Sequence, residues 1–284
     1  MGGRVMPIKL HHVFHVYSSK TPFQFEALHD VSLVIEEHSF TAIIGHTGSG
    51  KSTLIQHLNA LLLPTSGSLE VNEIVIQANQ LPKAVKKIRQ YAGVVFQFPE
   101  AQLFEEHVIE DVMFGPLNFG KSKVEAKQAA QLALQQVGLD ESFYDRSPFE
   151  LSGGERRRVA IAGILAMQPK VLILDEPTAG LDPVGAAMMM SLFTQLHQQG
   201  MTIIIVTHDM ELVLKYASHV KVMEHGKVIK QSTPQDLFYG KDASKDFIKP
   251  PLVQLIEVLR KKGKMISSTQ EKSLADFVQG WKVS

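Results

Sequence analysis

The chain has 284 residues, 44% of them hydrophobic, with Lys+Arg and Asp+Glu both at 29 and no cysteine. That length suits one large domain, or a large domain with a small appendage, and the apolar fraction is enough for a sizeable core. The charge balance argues against a general nucleic-acid binder, and the lack of cysteine excludes disulfides and thiolate-bound metals while fitting a reducing cytoplasm.

Residues 1–5 read as an extension before Met6, with no apolar core long enough for a signal peptide. Residues 8 to 44 are expected to form short strands with turns. His11, His12 and His15 fall on the first; with no acidic or Cys partner in the run, they read as a surface edge strand rather than a metal site. Ser39-Phe-Thr-Ala-Ile-Ile44 is a run of β-formers ending at Gly45. Gly50 to Leu62 carries Leu54, Ile55, Leu58, Leu61 and Leu62 at helical spacing, predicting a helix. Val124 to Gly138 and Val184 to Gln199 also have helical composition. Val171-Leu-Ile-Leu174 and Thr202 to Thr207 are continuous apolar runs of strand length, as expected for strands covered on both faces. Strands alternating with helices imply an α/β core.

The composition shifts after about residue 231. Val220–Met223 and Lys227–Gln231 flank a Glu-His-Gly turn, predicting a hairpin, and Thr233-Pro234 reads as a helix start. Leu252, Leu255, Ile256 and Leu259 share one helical face, as do Leu274, Phe277, Val278 and Trp281. This tail reads as a small helical appendage. Its stripes are read first as packing within the chain and second as a partner-binding groove. The longest apolar stretch, Val159 to Met167, falls well short of the roughly 18 residues a membrane span needs.

Three motifs carry chemistry. Gly45, His46, Thr47, Gly48, Ser49, Gly50, Lys51 and Ser52 satisfy G-x-x-x-x-G-K-[ST], after a strand and before a helix. Such a loop turns backbone N–H groups toward phosphate oxygens at a helix N-terminus; Lys51 is placed to neutralise β- and γ-phosphate, Ser52 to offer a hydroxyl to Mg²⁺, and Thr53 to lie near the α-phosphate. Asp175 and Glu176 end an apolar strand, where ligands bind in open α/β sheets; Asp175 is read as a metal holder and Glu176 as the group polarising an attacking water. Leu151, Ser152, Gly153, Gly154 and Glu155 open a helix.

Together, and in this order, these motifs resemble those of ABC-family ATPases, over residues 8 to about 231. The resemblance implies a P-loop NTPase of α/β class: an ABC-type nucleotide-binding domain (residues 1–231) with a mixed sheet and a helical signature subdomain at about 98–165, then a small C-terminal helical domain (232–284). It makes Leu151–Glu155 the signature that completes a partner's ATP site, Asp182 part of the D-loop, His208 the switch histidine, Gln97 the Q-loop glutamine and a metal ligand beside Ser52 and Asp175, and Tyr17 the aromatic that stacks on adenine. Two such chains are expected to sandwich two ATP molecules with Mg²⁺, Glu176 and His208 placing the water.

Phe96-Gln-Phe-Pro-Glu-Ala-Gln-Leu-Phe-Glu-Glu106 and Phe114-Gly-Pro-Leu-Asn-Phe-Gly120 are similar to ATPases of energy-coupling factor transporters, of the second, A-prime type. That resemblance implies import of vitamins or transition-metal ions, an unlike ATPase partner, a transmembrane T subunit, a substrate-binding membrane S subunit, no nucleic acid, and a peripheral place on the cytoplasmic face of the membrane. The ATPase of a dedicated cobalt or nickel importer is the alternative within transporters. A soluble ABC ATPase of DNA repair or translation is the alternative from another class, opposed by the compact, single, cysteine-free domain.

Some residues depart from the family pattern or lie outside its motifs. Glu155 stands where glutamine is more frequent and is expected near incoming phosphate. Arg156-Arg-Arg158 reads as a solvated helix face. Met188-Met-Met190 reads as adaptable core. Phe98, Leu103 and Phe104, apolar in the loop after Gln97, read first as a contact for a membrane partner and second as a satellite core.

Overall fold

A computed structural model describes residues 7–19, 21–240, 248–262, 272–274 and 277–278. Strands β1 (Ile8–Tyr17), β2 (Phe25–Ile35) and β3 (Phe40–Ile44) lead into helix α1 (Lys51–Leu58), then β4 (Ser66–Val71), β5 (Ile74–Gln77), α2 (Val85–Tyr91) and β6 (Ala92–Val95). Helices α3 (Val108–Asn118), α4 (Lys123–Gln136) and α5 (Gly153–Leu165) pack on one another. The chain returns through β7 (Val171–Asp175), α6 (Pro183–Gln198), β8 (Thr202–Val206), α7 (Met210–Tyr216), β9 (His219–Glu224) and β10 (Lys227–Ser232), and the tail adds α8 (Pro234–Tyr239) and α9 (Pro251–Lys261).

Two sheets organise these elements. One is antiparallel in the order β2-β1-β4-β5; the other runs β10-β9-β3-β8-β7-β6, with only the β9–β10 hairpin antiparallel. In the larger sheet the central strands β3, β7 and β8 are nearly all apolar because both faces are covered, whereas the outer β10 alternates. Ala42, Ile44, Leu172, Leu174, Ile203 and Ile205 join one buried cluster; Ile43, Val171, Ile173, Ile204 and Val206 join the other. Side chains alternate across a strand, so a five-residue run such as Thr202–Val206 feeds two cores at once. The parallel pairings also bring the carboxyl ends of β3, β6, β7 and β8 to one edge. Gly45, Gln97, Asp175 and His208 emerge there.

Four expectations are corrected. The first two strands are long, ten and eleven residues. Register shifts break their alternation near His12, which has φ 49. Nor is β1 an edge strand: it lies between β2 and β4, leaving His11 and His12 exposed but His15 buried. The helix predicted to Leu62 stops at Leu58. Ala60 turns to φ 55, and the N–H groups of Leu61 and Leu62 both bond back to the Gln56 carbonyl. Of the three methionines in α6 only Met189 and Met190 are core; Met188 is 60% exposed.

The tail packs largely as its first reading held. Leu237, Phe238, Leu252, Val253, Ile256 and Phe277 join the same buried cluster as Leu172 and Ile203, while Leu255, Leu274 and Val278 are exposed. Trp281 lies outside the described residues. No helix among the described residues is long and apolar enough to cross a membrane.

Candidate functional site

The phosphate-type loop is braced from below. A Cβ at Gly45 would sit 2.3 Å from the Met223 carbonyl oxygen. At Gly50, the left-handed N-cap of α1 with φ 99, it would sit 2.6 Å from the Ala27 oxygen. Only glycine permits both approaches. Gly226 donates its N–H to the Ser49 carbonyl at 3.1 Å, tying the loop to the β9–β10 turn. Lys51 folds its ammonium back to donate to the carbonyls of Gly45 at 2.8 Å and His46 at 2.9 Å.

Above the loop opens a cleft of about 430 Å³, lined by Thr47, Gly48, Gly50, Lys51, Ser52, Thr53, Gln97, Asp175, Glu176 and His208. Residues from four strand ends thus meet in one place. Gly45 and His46 line an adjoining cleft that shares Thr47, Lys51, Glu176 and His208, and Ser49 is buried beneath the loop. Glu176 takes the left-handed conformation at φ 47 and donates its N–H to the Val206 carbonyl at 2.9 Å. That turn aims its side chain apart from Asp175. One of its carboxylate oxygens accepts from Nδ1 of His208 at 2.8 Å. Strain of this kind persists only where surrounding contacts over-determine it, and it gathers at functional sites.

The electrostatics follow from crowding. Burial pushes the Lys51 ammonium below its ordinary pKa, and the nearby charges of Glu176 and Asp175 pull it back up. Burial, then the charge of Glu176, raises the Asp175 carboxyl, with Lys51 opposing. Asp175, Ser52 and Gln97 offer carboxylate, hydroxyl and amide oxygens on one cleft, a donor set that suits a hard divalent cation such as Mg²⁺.

At the base end, two aromatic residues face each other across β1 and β2. Tyr17 does not line the cleft; its hydroxyl bonds the Thr53 hydroxyl at 3.3 Å, and its ring meets His15 edge-on. Its direct cross-strand partner is Phe25, 59% exposed, which does line the cleft together with Ala27 and Val206. Sequence reading missed Phe25 because β1–β2 register shifts hide which residue faces Tyr17.

The signature residues lie elsewhere. None of Leu151, Ser152, Gly153, Gly154 or Glu155 lines this cleft. Ser152 caps α5: its hydroxyl accepts from the Glu155 N–H at 3.3 Å while Glu155 accepts from the Ser152 N–H at 2.8 Å. The Ser152 hydrogen bonds hold the Glu155 carboxyl below its ordinary pKa. Glu155 is thus a capping-box partner. Asp182 caps α6 by accepting from the Gly185 N–H at 2.6 Å.

The solvated arginine face is overturned at one position. Arg157 is 3% exposed and paired with Glu100. Around Gln97, Leu103 is core, whereas Phe98 and Phe104 are about half exposed, Phe104 packing edge-on against Phe114 with centroids 4.9 Å apart.

Comparisons with known proteins agree with this geometry. The family model described as ABC transporter matches residues 28–179. The energy-coupling factor transporter ATP-binding protein EcfA2 of Streptococcus thermophilus is 55% identical over 233 residues, 82% of this chain and 83% of that protein. Its counterpart in Streptococcus agalactiae is 52% identical over 260 residues, covering 91% and 93%. Among solved structures, CbiO1 of Clostridium perfringens, part of the ABC transporter complex CbiONQ, aligns with TM-score 0.73 at 39% identity, covering 88% of this chain and 98% of that one. The dimeric ATP-binding cassette MJ0796, in a post-hydrolysis state with ADP and Pi, aligns with TM-score 0.70 at 30% identity, covering 80% and 98%.

Proposed function

The chain belongs to the ABC transporter family, as an ATP-binding and ATP-hydrolysing subunit of the energy-coupling factor type, and from that premise we propose that it works as one half of an unlike ATPase pair. One observation carries the pairing, that Lys51, Ser52, Gln97, Asp175, Glu176 and His208 share a cleft that the signature residues do not line, and the likeness to EcfA2 supports an unlike partner. Each chain then holds ATP on its own loop and receives the second wall, a serine hydroxyl and glycine N–H groups at a helix N-terminus, from its partner.

In this mechanism Lys51 and the N–H groups of residues 46–51 bind the phosphates. Ser52, Gln97 and Asp175 hold Mg²⁺, which when bound neutralises phosphate charge. Glu176 accepts the proton of the attacking water, and His208, hydrogen-bonded to Glu176, keeps that carboxylate aimed. Adenine packs at the end of the cleft marked by Phe25, with Tyr17, its cross-strand partner, behind it. Asp182 and Ser152–Gly154 serve the facing chain. Loss of γ-phosphate removes the shared contacts and lets the pair open.

The further partners are a transmembrane T subunit, docking on the exposed aromatic surface of Phe98, Phe104 and Phe114, and a membrane S subunit that binds a vitamin or other micronutrient. The chain then sits peripherally on the cytoplasmic face. Residues 1–231 act as the ATPase domain and 232–284 as a helical appendage. A second reading is the ATPase of a dedicated cobalt or nickel importer built on a homodimer; likeness to CbiO1, part of the ABC transporter complex CbiONQ, leaves it in play beside the first.

Purification of the tagged chain from its native membranes tests both. A second, different ATPase and a T subunit should co-purify, and the assembly should hydrolyse ATP far faster than the single chain. A fully active homodimer with no second ATPase recovered would overturn the unlike pair and favour the metal importer.

A further inference from the structure

Arg157 joins three segments that are remote in sequence. It lies in the second turn of α5, behind the signature, yet it is almost wholly buried. Nε and Nη2 donate to the two carboxylate oxygens of Glu100 at 3.0 and 3.1 Å. Nη1 donates to the carbonyl of Ala179 at 2.8 Å and of Pro177 at 3.4 Å. The Phe98 ring lies 5.7 Å from its guanidinium carbon. Phe98 also closes on Gly180, where a Cβ would be 3.2 Å from the ring. The turn after Gln97, the signature helix and the loop between Glu176 and Asp182 therefore meet on one guanidinium.

The chemistry makes this junction stiff. A buried charge is tolerated only when paired and fully hydrogen-bonded, and a bidentate fork fixes angle as well as distance. Burial alone would raise the Glu100 carboxyl, but hydrogen bonds and charge from Arg157 hold it below its ordinary pKa. A lysine would supply charge without the fork.

We propose that Arg157 is a positioning residue that makes these three segments move as one body. A displacement imposed on the exposed surface at Phe98 then carries Ser152–Gly154 and Asp182 with it, and through them the ATP site of the facing chain. The inference rests on the transporter reading above, because only there do the signature and the Phe98 surface have separate partners.

The test uses the ATPase pair, alone and assembled with its transmembrane subunit, carrying Arg157→Lys or Glu100→Gln. ATP affinity and turnover are measured in both forms, with thermal unfolding beside them. The pair alone should keep its KM for ATP. The stimulation of turnover on assembly should fall by roughly two- to thirtyfold, more for Arg157→Lys. Wild-type stimulation in both variants would overturn the inference, as would equal losses with and without the membrane subunit. Failure of both variants to fold would overturn it too, by making the junction a condition of folding. A wild-type pair that neither binds nor responds to a membrane subunit would instead sink the transporter reading.

Discussion

The Nδ1 of His208 donates to the carboxylate of Glu176 at 2.8 Å, joining the ends of two neighbouring parallel strands inside the nucleotide cleft. Glu176→Gln keeps size and removes the base. Turnover of the assembled transporter should fall by about 10²–10⁴-fold, while ATP affinity stays near wild type. Phosphate release and nucleotide binding on the same preparation check this; unchanged turnover would remove Glu176 from its role. If the partner's site is the main hydrolytic one, a partial loss is expected.

Lys51 already sits where its ammonium faces the cleft, drawn between two backbone carbonyls and near two carboxylates. Lys51→Ala should weaken ATP binding by about 2–4 kcal/mol, as for truncation of a charge contact. Titration with a fluorescent ATP analogue reads the change. Full affinity in the variant would mean that the lysine does not reach the phosphates.

Phe25, not Tyr17, lines the cleft, so the two rings should differ in effect. Phe25→Ala should weaken ATP binding by about 1 kcal/mol or more, in the range of base stacking on an aromatic, yet leave inorganic tripolyphosphate binding unchanged. Tyr17→Phe, which only removes the hydroxyl bonded to Thr53, should have the smaller effect. Equal losses for ATP and tripolyphosphate in Phe25→Ala would deny the residue a role at the base.

His57 is fully buried under the nucleotide loop, its Nδ1–H donating to the Thr53 carbonyl at 2.7 Å. Burial pushes its pKa down to about 4. Because the folded chain resists protonation while the unfolded chain takes a proton near pH 6.5, stability should fall as pH drops from about 6.5 to about 4. The loss amounts to at most about 3 kcal/mol. His57→Leu should flatten that part of a Tm-against-pH curve. An unchanged slope would assign the dependence to other groups.

The tail contributes Leu252, Val253, Ile256 and Phe277 to the main core. Ending the chain at residue 247 exposes their partners and should lower the stability of the single chain by several kcal/mol, at about 1.5–3 kcal/mol per buried side chain. Thermal unfolding checks this directly. An unaltered Tm, with only pairing weakened, would show that the tail serves the partner alone.

Much of this molecule could be read along the chain. The motif residues, the β9–β10 hairpin and the α4 and α6 helices depend on local spacing: a glycine-rich turn, an alternation or a capping residue acts within a few positions. Tertiary structure decided what depended on distant partners. The β1–β2 register, broken by shifts near His12, set Phe25 opposite Tyr17. Packing of the first sheet over α1 buried His15, whose ring meets His57 and whose Nδ1 bonds the Leu63 carbonyl. Glu100, 57 positions away, turned Arg157 from a solvated residue into a buried one. A charged side chain can be buried only if something meets it there, and no local pattern announces a partner brought by the fold.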